Sequence, residues 1–64
     1  MTTKEYGAHV RAMELLSSLG YSASVISWQL AALYTGAPNA AINWDLYKVL
    51  GKNISASDMH LLTN

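Results

Sequence analysis

The stretch LYTGAPNAAINWDLY, residues 33–47, decides how the chain is read. It runs from an apolar segment through Gly36 and Pro38 into a second segment with helical spacing. Glycine readily takes the left-handed conformation that ends helices, proline punctuates the chain, and asparagine is a favoured N-cap. The pattern predicts a helix ending near Tyr34, a corner over residues 35–39 capped by Asn39, and a further helix over about 40–50. In that helix Ile42, Leu46, Val49 and Leu50 recur at i, i+4, i+7 and i+8, a core stripe, with Trp44 and Tyr47 on the adjoining face. Gly51 is expected to end it.

On the N-terminal side of the corner, Ser22 or Ser24 is expected to cap a helix over about 23–34 with Ile26, Leu30 and Leu33 inward. Val25, Trp28, Ala31 and Ala32 carry its apolar character around most of the circumference, the mark of a buried helix. A chain of 64 residues cannot wrap such a helix fully, so part of its surface is expected to face another molecule. Further upstream, Thr2 and Glu5 form a capping-box pattern that opens a helix over about 3–19. Tyr6, Val10, Met13 and Leu16 make one apolar stripe on it, and Ala8, Ala12, Leu15 and Leu19 a second. Gly7 and the alanines should admit a neighbouring helix closely, and Gly20 sits where a left-handed residue closes a helix, with Tyr21 folding back. Ser55-Ala56-Ser57-Asp58 is a second capping-box pattern, opening a helix over about 56–62. The expected fold class is all-α: a compact bundle of three helices plus a short C-terminal helix, residues 1–64 forming a single small domain.

Composition narrows the function. The chain has no cysteine, which excludes disulfides and thiolate metal sites. A core this small supplies about 3–5 kcal/mol unaided, so a partner chain, a second copy or another protein, is the expected helper. Four basic residues balance four acidic ones, too few for a strong phosphate-binding stripe on a monomer. Hydrophobic residues make up 52% of the chain and charged residues 12%, apolar for a small domain, yet no run approaches a membrane span of about 18–20 residues. The first seven residues carry no apolar leader segment, and the cytoplasm is the expected location.

The corner also resembles a helix-turn-helix. Ala32 stands four residues before Gly36 and Ile42 six after it, the places that this motif gives to a small and an apolar residue. The resemblance implies a DNA-reading helix presenting Asn39, Asn43, Tyr47 and Lys48, with the asparagines placed to pair with adenine edges. The sequence departs from the motif at Asp45, nine after the glycine, where an apolar residue is usual. Lys48 is the one base on that helix, and a dimer would be needed to double the positive charge.

Catalytic patterns are absent. Glu5 and His9 share a helix face at i, i+4, but two ligands are too few for a specific metal site, and His60 joins them only through an unspecified tertiary contact. The serines fall mostly at expected helix ends, none lies in a nucleophile motif, and the glycines stand singly, so no phosphate loop forms. No enzyme activity, metal or cofactor is expected.

The aromatic residues are the most informative feature. Two tryptophans and four tyrosines, with no phenylalanine, all pair a polar tip with an apolar body. Such side chains are enriched at protein interfaces, where binding energy concentrates. Trp28, Tyr34, Trp44 and Tyr47 are the expected contact residues. Short, cysteine-free helical chains of this kind are similar to the accessory proteins of bacteriophages and mobile elements, which block or adapt host machinery. The expectation is a small protein-binding module, an inhibitor or adaptor, that dimerises through its second or third helix. A dimeric helix-turn-helix regulator and a subunit of a larger assembly are the alternatives.

Overall fold

A computed structural model describes residues 1–63. Among them run four α-helices, α1 (Thr3–Ser18), α2 (Ala23–Thr35), α3 (Trp44–Asn53) and α4 (Ala56–Leu62), with a single 3-10 turn (Asn39–Ala41) before α3. The radius of gyration is 10.6 Å, against the about 10.7 Å expected of a folded chain this long. No helix among the described residues is long and apolar enough to cross a membrane.

Local chemistry sets most helix ends as the sequence predicts. The Thr2 hydroxyl accepts from the Glu5 N–H at 3.1 Å, and the Glu5 carboxylate accepts from the Thr2 N–H at 2.9 Å, completing the capping box. Gly20 takes φ +93°, and the Tyr21 N–H donates back to the Leu16 carbonyl at 3.1 Å. Ser22, rather than Ser24, caps α2. Gly36 takes φ +68°, while the Gly36 and Ala37 N–H groups return to the Leu33 and Ala32 carbonyls, a helix-closing pattern that satisfies two free carbonyls.

The inward stripe of α2 is Ile26, Leu30 and Leu33, as expected. In α1 it is Ala8, Ala12 and Leu16, while Tyr6 and Met13 of the first stripe and Leu19 of the second lie exposed. The reason is crowding. Helix α1 packs on α2, α3 and α4 together, and the small Ala8 and Ala12 side chains beside Leu16 let those neighbours approach closely. Over Gly7 lies the Arg11 guanidinium, 3.3 Å from where a Cβ would stand, and Gly7 lines one hollow together with Ser57, Asp58 and Leu61 of α4.

The third helix departs from its expected span of about 40–50. Asn39 opens only the 3-10 turn, Ile42 and Asn43 are extended, and Asn43 is the residue that caps α3. Helix α3 then runs through Gly51, which keeps a negative φ, to Asn53. Gln29 explains the break. Its side-chain oxygen accepts from the Asn43 N–H at 2.6 Å, and its nitrogen donates to the Ala41 carbonyl at 3.4 Å. A continuous helix would spend that N–H on the Asn39 carbonyl and that carbonyl on the Asp45 N–H. Breaking the helix leaves Leu46 and Leu50 facing the core beside Leu16 of α1 and Leu62 of α4, all four fully buried. Ile42 and Val49 pack on the same core from partly buried positions.

The second capping box forms by half. The Ser55 hydroxyl accepts from the Asp58 N–H at 3.1 Å, but the Asp58 carboxylate turns away to take two hydrogen bonds from Arg11, at 2.6 and 2.7 Å. That pair ties α4 to α1.

Candidate functional site

The residues that point outward on α2 follow from those that point inward. With Ile26, Leu30 and Leu33 in the core, Trp28, Ala31 and Thr35 face away from it. Trp28 is 69% exposed. It forms one wall of a shallow hollow of about 240 Å³ whose other walls are Ala31, Ala32, Thr35, Ala37 and Ala41. The corner after Gly36 builds the far wall by bringing Ala37 and Ala41 alongside the end of α2. Thr35 is the one polar side chain there, and its hydroxyl is spent on the Ala31 carbonyl at 2.9 Å. The hollow therefore offers a nearly pure hydrocarbon wall.

Charge is absent from this part of the chain. Residues 15–44, thirty in succession, include no Asp, Glu, Lys, Arg or His. Every charged side chain and both histidines lie in the flanking segments 1–14 and 45–64. Depletion of charge is what separates the centre of a protein interface from ordinary surface.

Trp44, 46% exposed, sits at the edge of the uncharged segment. Its ring nitrogen donates to the Asn39 carbonyl at 3.2 Å, and its ring stands edge-on to Tyr47 at 5.2 Å. Tyr47 is half-buried and also packs on the core. Tyr34 is not brought to Trp28. It stands edge-on to His9 at 5.3 Å and, with Glu5, His60, Leu61 and Thr63, lines a separate polar cavity of about 280 Å³. The Glu5 carboxyl is held below its ordinary range, first by the Thr2 N–H and next by the Tyr34 hydroxyl, which is itself pushed up. His9 donates from Nδ1 to the Glu5 carbonyl at 2.8 Å. Tertiary folding thus sets Glu5 and His60 on one cavity, but no group of three metal-ligating side chains occurs among the described residues.

The residues of the DNA-reading alternative are divided. Asn39 lies in the 3-10 turn, before the break, and Tyr47 and Lys48 lie in α3, after it. The Asn43 side chain accepts from the Leu46 N–H at 3.2 Å and so holds the start of α3. Helices α2 and α3 also touch little, whereas a helix-turn-helix packs its two helices together.

Sequence reading missed Gln29, 9% exposed and the sole buried polar side chain among the described residues. Its place between Ile26 and Leu30, one turn from the inward stripe, is the signal. It also missed the alanine walls of the hollow, which carry no signal of their own beyond the uncharged run that contains them. The chain matches no known protein family, no curated protein and no solved structure.

Proposed function

We propose that this chain is a non-catalytic protein-binding module whose contact surface is the uncharged outer face of α2 and the corner that follows it, with Trp28 at its centre. The observation that carries the reading is an exposed indole beside an alanine-walled hollow, inside thirty residues without charge. Covering about 150 Å² of such a ring at ~25 cal/mol per Å² is worth about 4 kcal/mol, enough to anchor an interface. Trp44, edge-on to Tyr47, is a second exposed aromatic available for contact, and Tyr34 is left out of the surface. A module of this size acts by covering a patch on a larger protein, as an inhibitor or adaptor, in the cytoplasm.

The test is capture of partners by the wild type and by Trp28→Ala side by side, at low and high salt, with sedimentation of the chain beside a short mixed-sequence duplex. A partner kept at high salt and lost with Trp28 supports the reading. A complex with the duplex that collapses as salt rises overturns it in favour of a DNA-binding regulator. High-order oligomers would instead indicate a subunit of an assembly.

A further inference from the structure

We propose that the first occupant of this face is a second copy of the chain, in a two-fold pair of antiparallel α2 helices that exchange Trp28 side chains. The inference rests on the reading of the face as a contact surface and names its partner.

Shape supports the exchange. An exposed Trp28 walls one side of an open hollow that α2 and the following corner build together, and a two-fold axis turns such a pairing of knob and hollow into a reciprocal fit. Where two antiparallel copies of α2 cross beside Ala31 and Ala32, residue 28 of one faces residue 35 of the other. Each Trp28 then enters the partner's hollow next to Thr35. The alanines at the crossing let the two backbones approach to about 8 Å, the close end of helix packing.

Charge supports a second copy. A two-fold interface sets every residue near the axis against its own twin, so any charge there meets its like. Helix α2 carries none, and the whole chain has a net charge of +0, so nothing repels the second copy. A face without charge also offers no means of selecting a charged partner.

Area sets the strength. Exchanging two indoles at about 150 Å² each, with a similar area of hollow wall covered in return, buries roughly 600 Å², well below the ~1,600 Å² of a standard interface. The pair is therefore a weak one, able to open for another protein that uses the same face.

Sedimentation over a concentration series tests this, on the wild type, Trp28→Ala and Ala31→Glu. Both positions are exposed, and circular dichroism checks that the variants stay folded. The expected result is a mass rising from 7.0 kDa toward twice that value in the wild type. Each variant should raise the dissociation constant tenfold or more. Because the chain has no cysteine, Ala31→Cys carries a sole thiol beside the axis and should oxidise to a covalent dimer, while Lys48→Cys should not. A wild type that stays monomeric throughout overturns the dimer but leaves the face open to a different protein. A dimer that survives both variants overturns this placement. Trp28→Ala without effect on dimer or captured partner removes the contact-surface reading as well.

Discussion

The Gln29 side chain accepts from the Asn43 N–H at 2.6 Å and donates toward the Ala41 carbonyl, so one side chain of α2 holds both edges of the break before α3. The amide takes the two groups that a continuing helix would have paired with the Asn39 carbonyl and the Asp45 N–H. Gln29→Met keeps the volume and removes both bonds. Losing them is expected to cost about 1 kcal/mol, the low end of the range for orphaned groups, because Asn43 is exposed and water can take its N–H. Chemical denaturation measures the cost. Carbon chemical shifts over residues 40–43 should move toward helical values in the same variant. Wild-type stability and unchanged shifts would show that the break is held elsewhere.

Helix α1 offers two apolar stripes, and packing chooses between them. Leu16→Ala removes a fully buried side chain and should cost about 2–5 kcal/mol, as much as the whole stability of a domain this small. That variant is expected to be largely unfolded by circular dichroism at room temperature. Met13→Ala changes an exposed side chain and should stay within about 0.5 kcal/mol of the wild type. Equal losses in the two variants would mean that Met13 faces the core after all.

What the sequence discloses and what it conceals divide by range. The capping box at Thr2, the left-handed glycines at 20 and 36 and the inward face of α2 are legible because a few neighbouring residues decide them. The choice of the Ala8, Ala12 and Leu16 stripe depends on three helices meeting α1. The start of α3 depends on a bond between residues fourteen apart in sequence, and the fate of the Asp58 carboxylate on an arginine forty-seven away. Neither leaves a periodic signal. The proposed contact surface is half legible in the same sense. Trp28 and Trp44 are read as outward aromatics, but the hollow beside Trp28 exists only once the corner folds Ala37 and Ala41 against α2. Tyr34 was separable from Trp28 on geometry alone: six residues at about 100° each put the two on different faces of one helix.

Arg11 and Asp58 make stability sensitive to acid. The hydrogen bonds from Arg11 hold the Asp58 carboxyl below its ordinary range, and the Thr2 N–H does the same for Glu5. A carboxyl whose folded value is lowered adds stability above its unfolded value of about 4 and loses it as pH falls through the folded one. Thermal melts from neutral pH downward should therefore show stability falling below about pH 4. Asp58→Asn should melt lower at neutral pH, with a shallower acid slope, and meet the wild-type curve at low pH. Arg11 is largely exposed, so salt should narrow the gap between the two proteins. Parallel curves at every pH would show that the pair does not couple to folding.

Asn43 separates the two readings of the corner by what its side chain is for. In the structure Oδ1 accepts from the Leu46 N–H and fixes the first turn of α3, while the Asn43 N–H is held by Gln29. As a cap, asparagine is replaceable by aspartate or serine and not by alanine, whose substitution costs about 0.5–2 kcal/mol. Asn43→Ala should then lower the denaturation midpoint, and Asn43→Asp should keep or raise it, because a carboxylate at a helix start is favoured by the helix dipole. A residue that reads adenine has the opposite tolerance. Aspartate would place a negative charge against the nucleic acid and abolish binding, while alanine would leave the fold intact and remove only the base contact. The pair of variants, followed by denaturation and by duplex binding at low salt, is expected to show the capping pattern with no duplex complex at all. A stable Asn43→Ala protein, together with duplex binding by the wild type that Asn43→Asp destroys, would reverse the assignment and make the residue a reader of DNA.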